Sequence, residues 1–260
     1  MVGSNFVKAQ IFAKEQGILA GVPFVDAICE EVGIKKPTWI FQEGAYLLNA
    51  SPTNRTSVAV VVGPAKKVLL AERIMLNVLC RCSGVATESH RVRSALAWNG
   101  WSGQVVGTRK TTPGFRMVEK YGLLVGGAGT HRYDMSSMVM LKDNHVKLSG
   151  QTSSMHDLIT KTKKYAGFQF KIEVECQNLD DALNAAHAGA DIVMLDNLEP
   201  EEAIAAAKEL KSAHPNLLIE ASGGINSSNA AKYAVPEIDI ISMSCLVQGY
   251  PIIDFSMKVD

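Results

Sequence analysis

Charged and hydroxyl side chains recur along this chain directly after short apolar runs. Gln104–Gly107 is followed by Thr108-Arg109-Lys110-Thr111-Thr112-Pro113-Gly114, and the next loop carries His131-Arg132. Met138–Leu141 leads into Lys142-Asp143-Asn144-His145. Lys171–Val174 leads into Glu175, with Glu173 inside the run, and Asp191–Leu195 leads into Asp196-Asn197. Leu217–Ala221 runs into Ser222-Gly223-Gly224, and Ile238–Ser242 into Met243-Ser244. Arginine forks suit carboxylates, and lysine meets phosphate as a point charge. Arg109, Lys110, His131, Arg132 and Lys142 would together focus a strongly positive potential in a cleft. Glu175 and Asp196 are too few to balance it and suit Mg²⁺, held through waters. A second reading makes them salt-bridge partners of the same cations. Ser222-Gly223-Gly224 stands before a helix start led in by Ile225-Asn226, where backbone N–H groups can cradle a phosphate. The expected ligand is a polyanion carrying both carboxylate and phosphate, together with a metal.

These groups need elements to hold them. Phe6–Ala13 reads as a strand, Gly17–Gly21 as a return or turn, and Phe24–Val32 as a short helix. Trp39–Phe41 and Thr56–Val62 are β-rich, and Gly63-Pro64 stops the second of them. From Ala65 a long helix begins, with Leu70, Ile74 and Val78 four apart. Ser83-Gly84 is expected to kink it before it resumes toward Ala97. From Gly103 apolar runs alternate with helical stretches near 155–165, 178–189, 199–213 and 226–234. Apolar strands between amphipathic helices predict a parallel α/β arrangement with both sheet faces covered. Six or seven such units favour a barrel, with a doubly wound sheet as the alternative. In barrels the working residues lie at the C-terminal strand ends. The division expected is an N-terminal domain over 1–98, a barrel over 99–248, and a tail over 249–260 that returns to the first domain.

Composition narrows the function classes. Lys+Arg and Asp+Glu each number 26, so a dominant nucleic-acid or membrane surface is not expected. Hydrophobic residues make 47% and charged residues 20%, as in a folded globular chain. The uncharged run Ile240–Ile253 is too short to span a bilayer and contains Gln248, Gly249 and Pro251. Met1-Val2-Gly3-Ser4-Asn5 shows no signal-peptide pattern. Five cysteines in a chain this long make no disulfide framework and read as thiols in a reducing cytoplasm. Neither a GxGxxG after the first strand nor a GxxxxGK[ST] occurs, so both common nucleotide motifs are missing.

At these residues the chain resembles the quinolinate phosphoribosyltransferases, the carboxylating nicotinate-nucleotide pyrophosphorylases. The matching text is GTRKTTPGFRMVEKYGLLVGGAGTHRYDMSSMVMLKDNHV (107–146), ERIMLNVLCRCSGVAT (72–87), KIEVE, GADIVMLDN and IEASGGIN. GFRMVEKYGLLVGG and the tail IDFSMK are most like the eukaryotic branch. The resemblance implies an incomplete α/β barrel joined to a smaller N-terminal α/β sandwich domain, in a homodimer or a multiple of dimers. It implies that quinolinate and phosphoribosyl pyrophosphate become nicotinate mononucleotide, pyrophosphate and CO₂ in NAD biosynthesis, with Mg²⁺. Carried over residue by residue, it assigns the quinolinate carboxylates to Arg109, Lys110, His131, Arg132 and Lys142, with Arg73 entering from the neighbouring subunit. Lys110 and Lys142 could also meet phosphoribosyl pyrophosphate. Glu175 and Asp196 would face the ribose hydroxyls and Mg²⁺, and Lys110, Lys142, Glu175 and Asp196 would carry the catalysis. Ser222, Gly223 and Gly224 would bind the 5′-phosphate, helped by the turn at Ser244. Two departures are expected to matter. Family members begin with a helical segment before the first strand, and they commonly have glycine where Ser244 stands, so a positive φ there would strain serine. The rival expectations are a related phosphoribosyltransferase acting on another anionic heterocycle, as in the molybdenum-transport paralogue, and a ligand-binding barrel without turnover.

Overall fold

The computed structural model describes residues 3, 5–148, 155–249 and 252–260. Part of the Met1–Asn5 stretch lies outside the described residues, as do residues 250 and 251 of the tail and of the Ile240–Ile253 run. The chain divides into two compact units. The first holds residues 1–91, 111–128 and 246–260, and the second 92–110 and 129–245.

In the first unit, alternation along β1 (Phe6–Ala13) buries Ala9, Ile11 and Ala13 on one face. α1 (Val22–Val32) starts with Pro23 in its first turn and ends on Gly33 at φ 68, a left-handed C-cap. β2 (Thr38–Trp39) and β3 (Thr56–Pro64) follow, then α2 (Ala65–Trp98), 34 residues long. The four-stranded antiparallel sheet has the order β10-β1-β3-β2, where β10 (Phe255–Val259) pairs Met257 with Ile11. Its core joins Ile11, Val58, Val61, Met75, Leu79 and Phe255. α2 is one continuous helix through Ser83-Gly84, where a kink was expected. The Ser83 hydroxyl donates to Ala20 O at 3.1 Å and accepts from Ala20 N at 2.9 Å. It therefore serves a neighbouring backbone and leaves its own helix ladder intact. α3 (Arg116–Val125), which periodicity did not suggest, completes the unit. Its Gly122 and Gly126 lie where a Cβ would come within 3.0 Å of α2.

The second unit carries a six-stranded parallel sheet. β4 (Gln104–Gly107) and β5 (Val139–Leu141) precede α4 (Asp143–Leu148) and α5 (Met155–Ala166). Then β6 (Ile172–Cys176), α6 (Leu179–His187), β7 (Ile192–Asp196), α7 (Pro200–Ala213), β8 (Leu218–Ser222) and β9 (Ile240–Met243) alternate. α6 is capped by Asn178, whose side chain accepts from Asp181 N, and α7 starts at Pro200. Their buried faces are mostly alanine, Ala182, Ala185, Ala203, Ala206 and Ala207, which lets the helices approach the sheet closely. The strand order is β4-β9-β8-β7-β6-β5. This order runs round in sequence with no reversal, so the doubly wound alternative is excluded. Between β4 and β5 the described residues form no ladder; beside β4 there is one parallel bridge, Val106 to Gly129. The result is an incomplete barrel. The helix expected over 226–234 is only a 3₁₀ turn, Ala230–Lys232, because Asn226 and Asn229 side chains take local backbone bonds that compete with a regular helix. No helix among the described residues is long and apolar enough to cross a membrane.

Candidate active site at the C-terminal strand ends of the barrel

Every site residue expected from the sequence except Arg73 lies in the second unit. Arg73 sits on the exposed face of α2 in the first. After β4, Thr108 turns the loop: its hydroxyl accepts from Lys110 N at 3.2 Å and donates to Ser244 Oγ at 3.5 Å. Arg109 is half-buried and Lys110 exposed. Arg132 is half-buried as well, with a guanidinium nitrogen 3.1 Å from Met140 Sδ. Burial and the charge of Arg109 lower the Arg132 pKa, so two guanidinium groups share one region. That is an arrangement an anion would relieve.

Lys142, just past β5, forms an ion pair with Glu175 on β6. Asp196, at the end of β7, accepts from Asn197 Nδ2 at 2.6 Å. Burial and Glu175 raise its pKa, against the pull of Lys142 and Lys110. Lys142, Lys110, Glu175 and Asp196 therefore form one electrostatic cluster. Glu175 is thus a salt-bridge partner of Lys142, as the second reading of the carboxylates has it, and it also stands beside Asp196.

At β8, Ser222 pairs in register with Asp196. Gly223 has φ 91 and Gly224 φ 63. A Cβ on Gly223 would lie 2.6 Å from the Asn197 backbone nitrogen. Both the conformation and the space there demand glycine. Asn229 Nδ2 donates to Gly224 O at 3.2 Å and fixes the turn. Gly223→Ala should weaken binding of a phosphorylated ligand by about 10²-fold, while Gly224→Ala, with nothing within 4 Å of the added Cβ and only the positive φ against it, should be milder; isothermal titration with phosphoribosyl pyrophosphate checks the ranking. Ser244 opens a 3₁₀ turn, Ser244–Leu246, and its φ is not positive: among described residues only His131 and Asn197 are non-glycines in that region. The feared strain at Ser244 is absent.

His131 is placed differently from the expectation of a simple cation beside Arg132. Its Nε2 lies 2.9 Å from Glu220 Oε2 and 3.5 Å from Glu173 Oε2, and both glutamates are fully buried. Burial opposes charge on the ring, but the hydrogen bonds and charges of Glu173 and Glu220 overcome it and raise His131 to about 9. Burial first, then Glu220, pushes Glu173 up to about 7 despite His131. Sequence reasoning paired neither glutamate with His131. A signal existed: Glu173 and Glu175 are two apart on a strand, so both face the same way. Glu220 likewise interrupts an apolar strand.

The His131 shift carries a sign. A raised histidine pKa gives stability that is complete below about 6.5 and is lost as pH rises through about 9. Urea unfolding should therefore lose on the order of 2–3 kcal/mol between pH 7 and pH 10, and His131→Asn should flatten that slope. A wild-type slope equal to the variant's would contradict the assignment.

Sequence reading also missed an anchor inside the first unit. Arg81 on α2 donates through Nε to Glu119 Oε1 at 2.7 Å, and through a terminal nitrogen to Thr112 Oγ1 at 2.6 Å. The fully buried Glu119 also accepts from Thr112 N at 2.9 Å. This ties down Thr112, two residues after Lys110 in the chain.

The second unit is thus a parallel, incomplete α/β barrel with paired arginines, a lysine–carboxylate cluster and a glycine turn at its strand ends. The chain belongs to the quinolinate phosphoribosyl transferase family: its C-terminal domain matches residues 85–258 and its N-terminal domain residues 2–83. The chain is 48% identical to the nicotinate-nucleotide pyrophosphorylase [carboxylating] of Rattus norvegicus, covering 100% of this chain and 84% of that protein. The Homo sapiens protein of the same name is 47% identical, over 99% and 84%. The crystal structure of NadC from Streptococcus pyogenes superposes with a TM-score of 0.85 at 32% identity, covering 100% of this chain and 88% of that one.

Proposed function

We propose that this chain is a carboxylating phosphoribosyltransferase of NAD biosynthesis, converting quinolinate and phosphoribosyl pyrophosphate to nicotinate mononucleotide, pyrophosphate and CO₂. The observation that carries it is the shared, half-buried placement of Arg109 and Arg132 beside the Lys142–Glu175–Asp196 cluster. Two guanidinium forks answer two ring carboxylates, which favours a diacid over a heterocycle with one anionic group.

Arg109, Arg132, His131 and Lys142 hold the diacid, with Arg73 reaching in from a second subunit. Ser222, Gly223, Gly224 and Ser244 hold the 5′-phosphate, and Lys110 and Lys142 meet the pyrophosphate. The ring nitrogen attacks the anomeric carbon as the bond to pyrophosphate breaks. Positive charge builds on the sugar in that step, and Glu175 and Asp196 stabilise it. The pyridinium formed then accepts the electron pair left behind when the adjacent carboxylate departs as CO₂. A proton from solvent completes the product. No protein nucleophile is needed, and positioning is the main contribution of the chain. Glu175 and Asp196, two neighbouring carboxylates, would also suit Mg²⁺ by the chemistry of their oxygens. When bound, that ion would neutralise the leaving pyrophosphate.

Homodimerisation is part of the reading. Leu70 is 65% and Ile74 53% exposed on α2, flanking Arg73 on an apolar surface suited to a second copy. A reducing cytoplasm is the compartment that belongs to this reading.

An assay with quinolinate, phosphoribosyl pyrophosphate and Mg²⁺ should release CO₂ and pyrophosphate in equal amounts. Turnover of nicotinate with none of quinolinate would overturn the substrate. Calorimetric binding of quinolinate without product would favour the non-catalytic barrel instead.

A further inference from the structure

Two fully buried glutamates facing into a barrel need an explanation. Glu173 stands on β6 and Glu220 on β8, separated by β7, where Ile192 and Met194 are their register partners. Neither partner can hydrogen-bond a carboxylate. Beyond the His131 contacts, Glu173 Oε1 and Glu220 Oε1 find no donor among the described residues, except that a protonated Glu173 hydrogen-bonds Glu220. Desolvated carboxylates are strongly disfavoured unless a cation sits against them. His131 is that cation, and its backbone is held at φ 53, which a residue with a Cβ rarely adopts. The ring is 12% exposed. A strained backbone and two buried acids thus converge on one imidazole.

We propose that Glu220 and Glu173 are positioning residues: they clamp His131 by Nε2 so that its remaining donor, Nδ1–H, is fixed toward the diacid substrate as a permanent positive charge. This rests on the function proposed above. An imidazolium donates from both nitrogens, whereas a neutral ring offers one donor and one acceptor. With Nε2–H given to Glu220, only the charged ring leaves Nδ1 as a donor to a carboxylate. The clamp would thus keep the pocket selective for an anion well above the pH at which an ordinary histidine discharges. The charged groups around the ring are Glu173 from β6, Glu220 from β8 and Arg132 next in the chain; Arg132 in turn meets Arg109 and Glu175. The raised ring pKa agrees with this placement.

Glu220→Gln keeps size and an acceptor oxygen but removes the charge. In the full-length enzyme, the alkaline limb of kcat/KM for quinolinate should shift down by at least about one pH unit. At pH 8.5 the KM for quinolinate should rise about 10-fold, with the KM for phosphoribosyl pyrophosphate changed less than about twofold. Equal changes for both substrates, or an unmoved limb, would overturn the clamp. Ring-resolved NMR titration of wild-type His131, assigned with His131→Asn, needs neither turnover nor a stable Glu220 variant. Protonation persisting to about 9 supports the clamp, and titration at the ordinary histidine value overturns it. Failure of quinolinate turnover with a high ring pKa would instead sink the function and leave the clamp standing.

Discussion

Replacing Arg109 by alanine should lower kcat/KM for quinolinate by about 10²–10³-fold, the range seen when one partner of a desolvated charge pair is truncated. Lys163→Ala, on the exposed side of α5, should change it less than about twofold. The contrast arises from surroundings. Lys163 is in water, where a solvated ligand gains little from it. Arg109 is half-buried, and its charge is felt by Arg132, so the pair is at its most favourable when an anion lies between them. Arg109→Lys should recover only part of the loss, since an ammonium cannot reproduce the planar fork. Most of the loss should fall on KM, because the carboxylates are bound before and during the reaction alike. Equal effects of Arg109→Ala and Lys163→Ala would remove Arg109 from the site.

Glu175→Gln should act on the other parameter. Its carboxylate pairs with Lys142 and stands beside Asp196, and the proposed reaction assigns these two acids to the sugar as it becomes positive. Removing that charge should lower kcat by about 10²–10³-fold, as for loss of one preorganised electrostatic group, with KM for quinolinate changed much less. The Mg²⁺ concentration needed for half-maximal rate should rise as well. Lys142 loses its partner in this variant, so thermal melting must accompany the kinetics. A fall in kcat with an unchanged melting temperature is the expected outcome; a fall in KM discrimination with intact kcat would contradict the role.

Much of this was legible in the residues. The strand ends from Gly107 to Met243 could be located because continuous apolar runs stop abruptly at charged or glycine residues, and a parallel sheet buried on both faces imposes that pattern. The glycine turn at Gly223 was readable for a similar reason. Ser83-Gly84 was misleading because local propensity favours a break, while the Ala20 backbone satisfies the hydroxyl from outside the helix. The 226–234 stretch was read as a helix, but Asn226 and Asn229 spend their amides on turn backbone. Glu173 and Glu220 were hardest to see. Their partner His131 lies far away in sequence, and only the closing of the sheet brings β6, β8 and that loop together. Arg81 and Glu119 were invisible for the same reason, a pair joined across two helices.

Arg109, Arg132 and Lys142 are expected to converge on one pyridine diacid at the mouth of the barrel. A crystal of the protein soaked with quinolinate decides whether they do. The expected map has the two ring carboxylates within hydrogen-bonding distance of those three side chains, with His131 Nδ1 beside them. Quinolinate bound elsewhere, with these side chains turned to solvent, would contradict the claim.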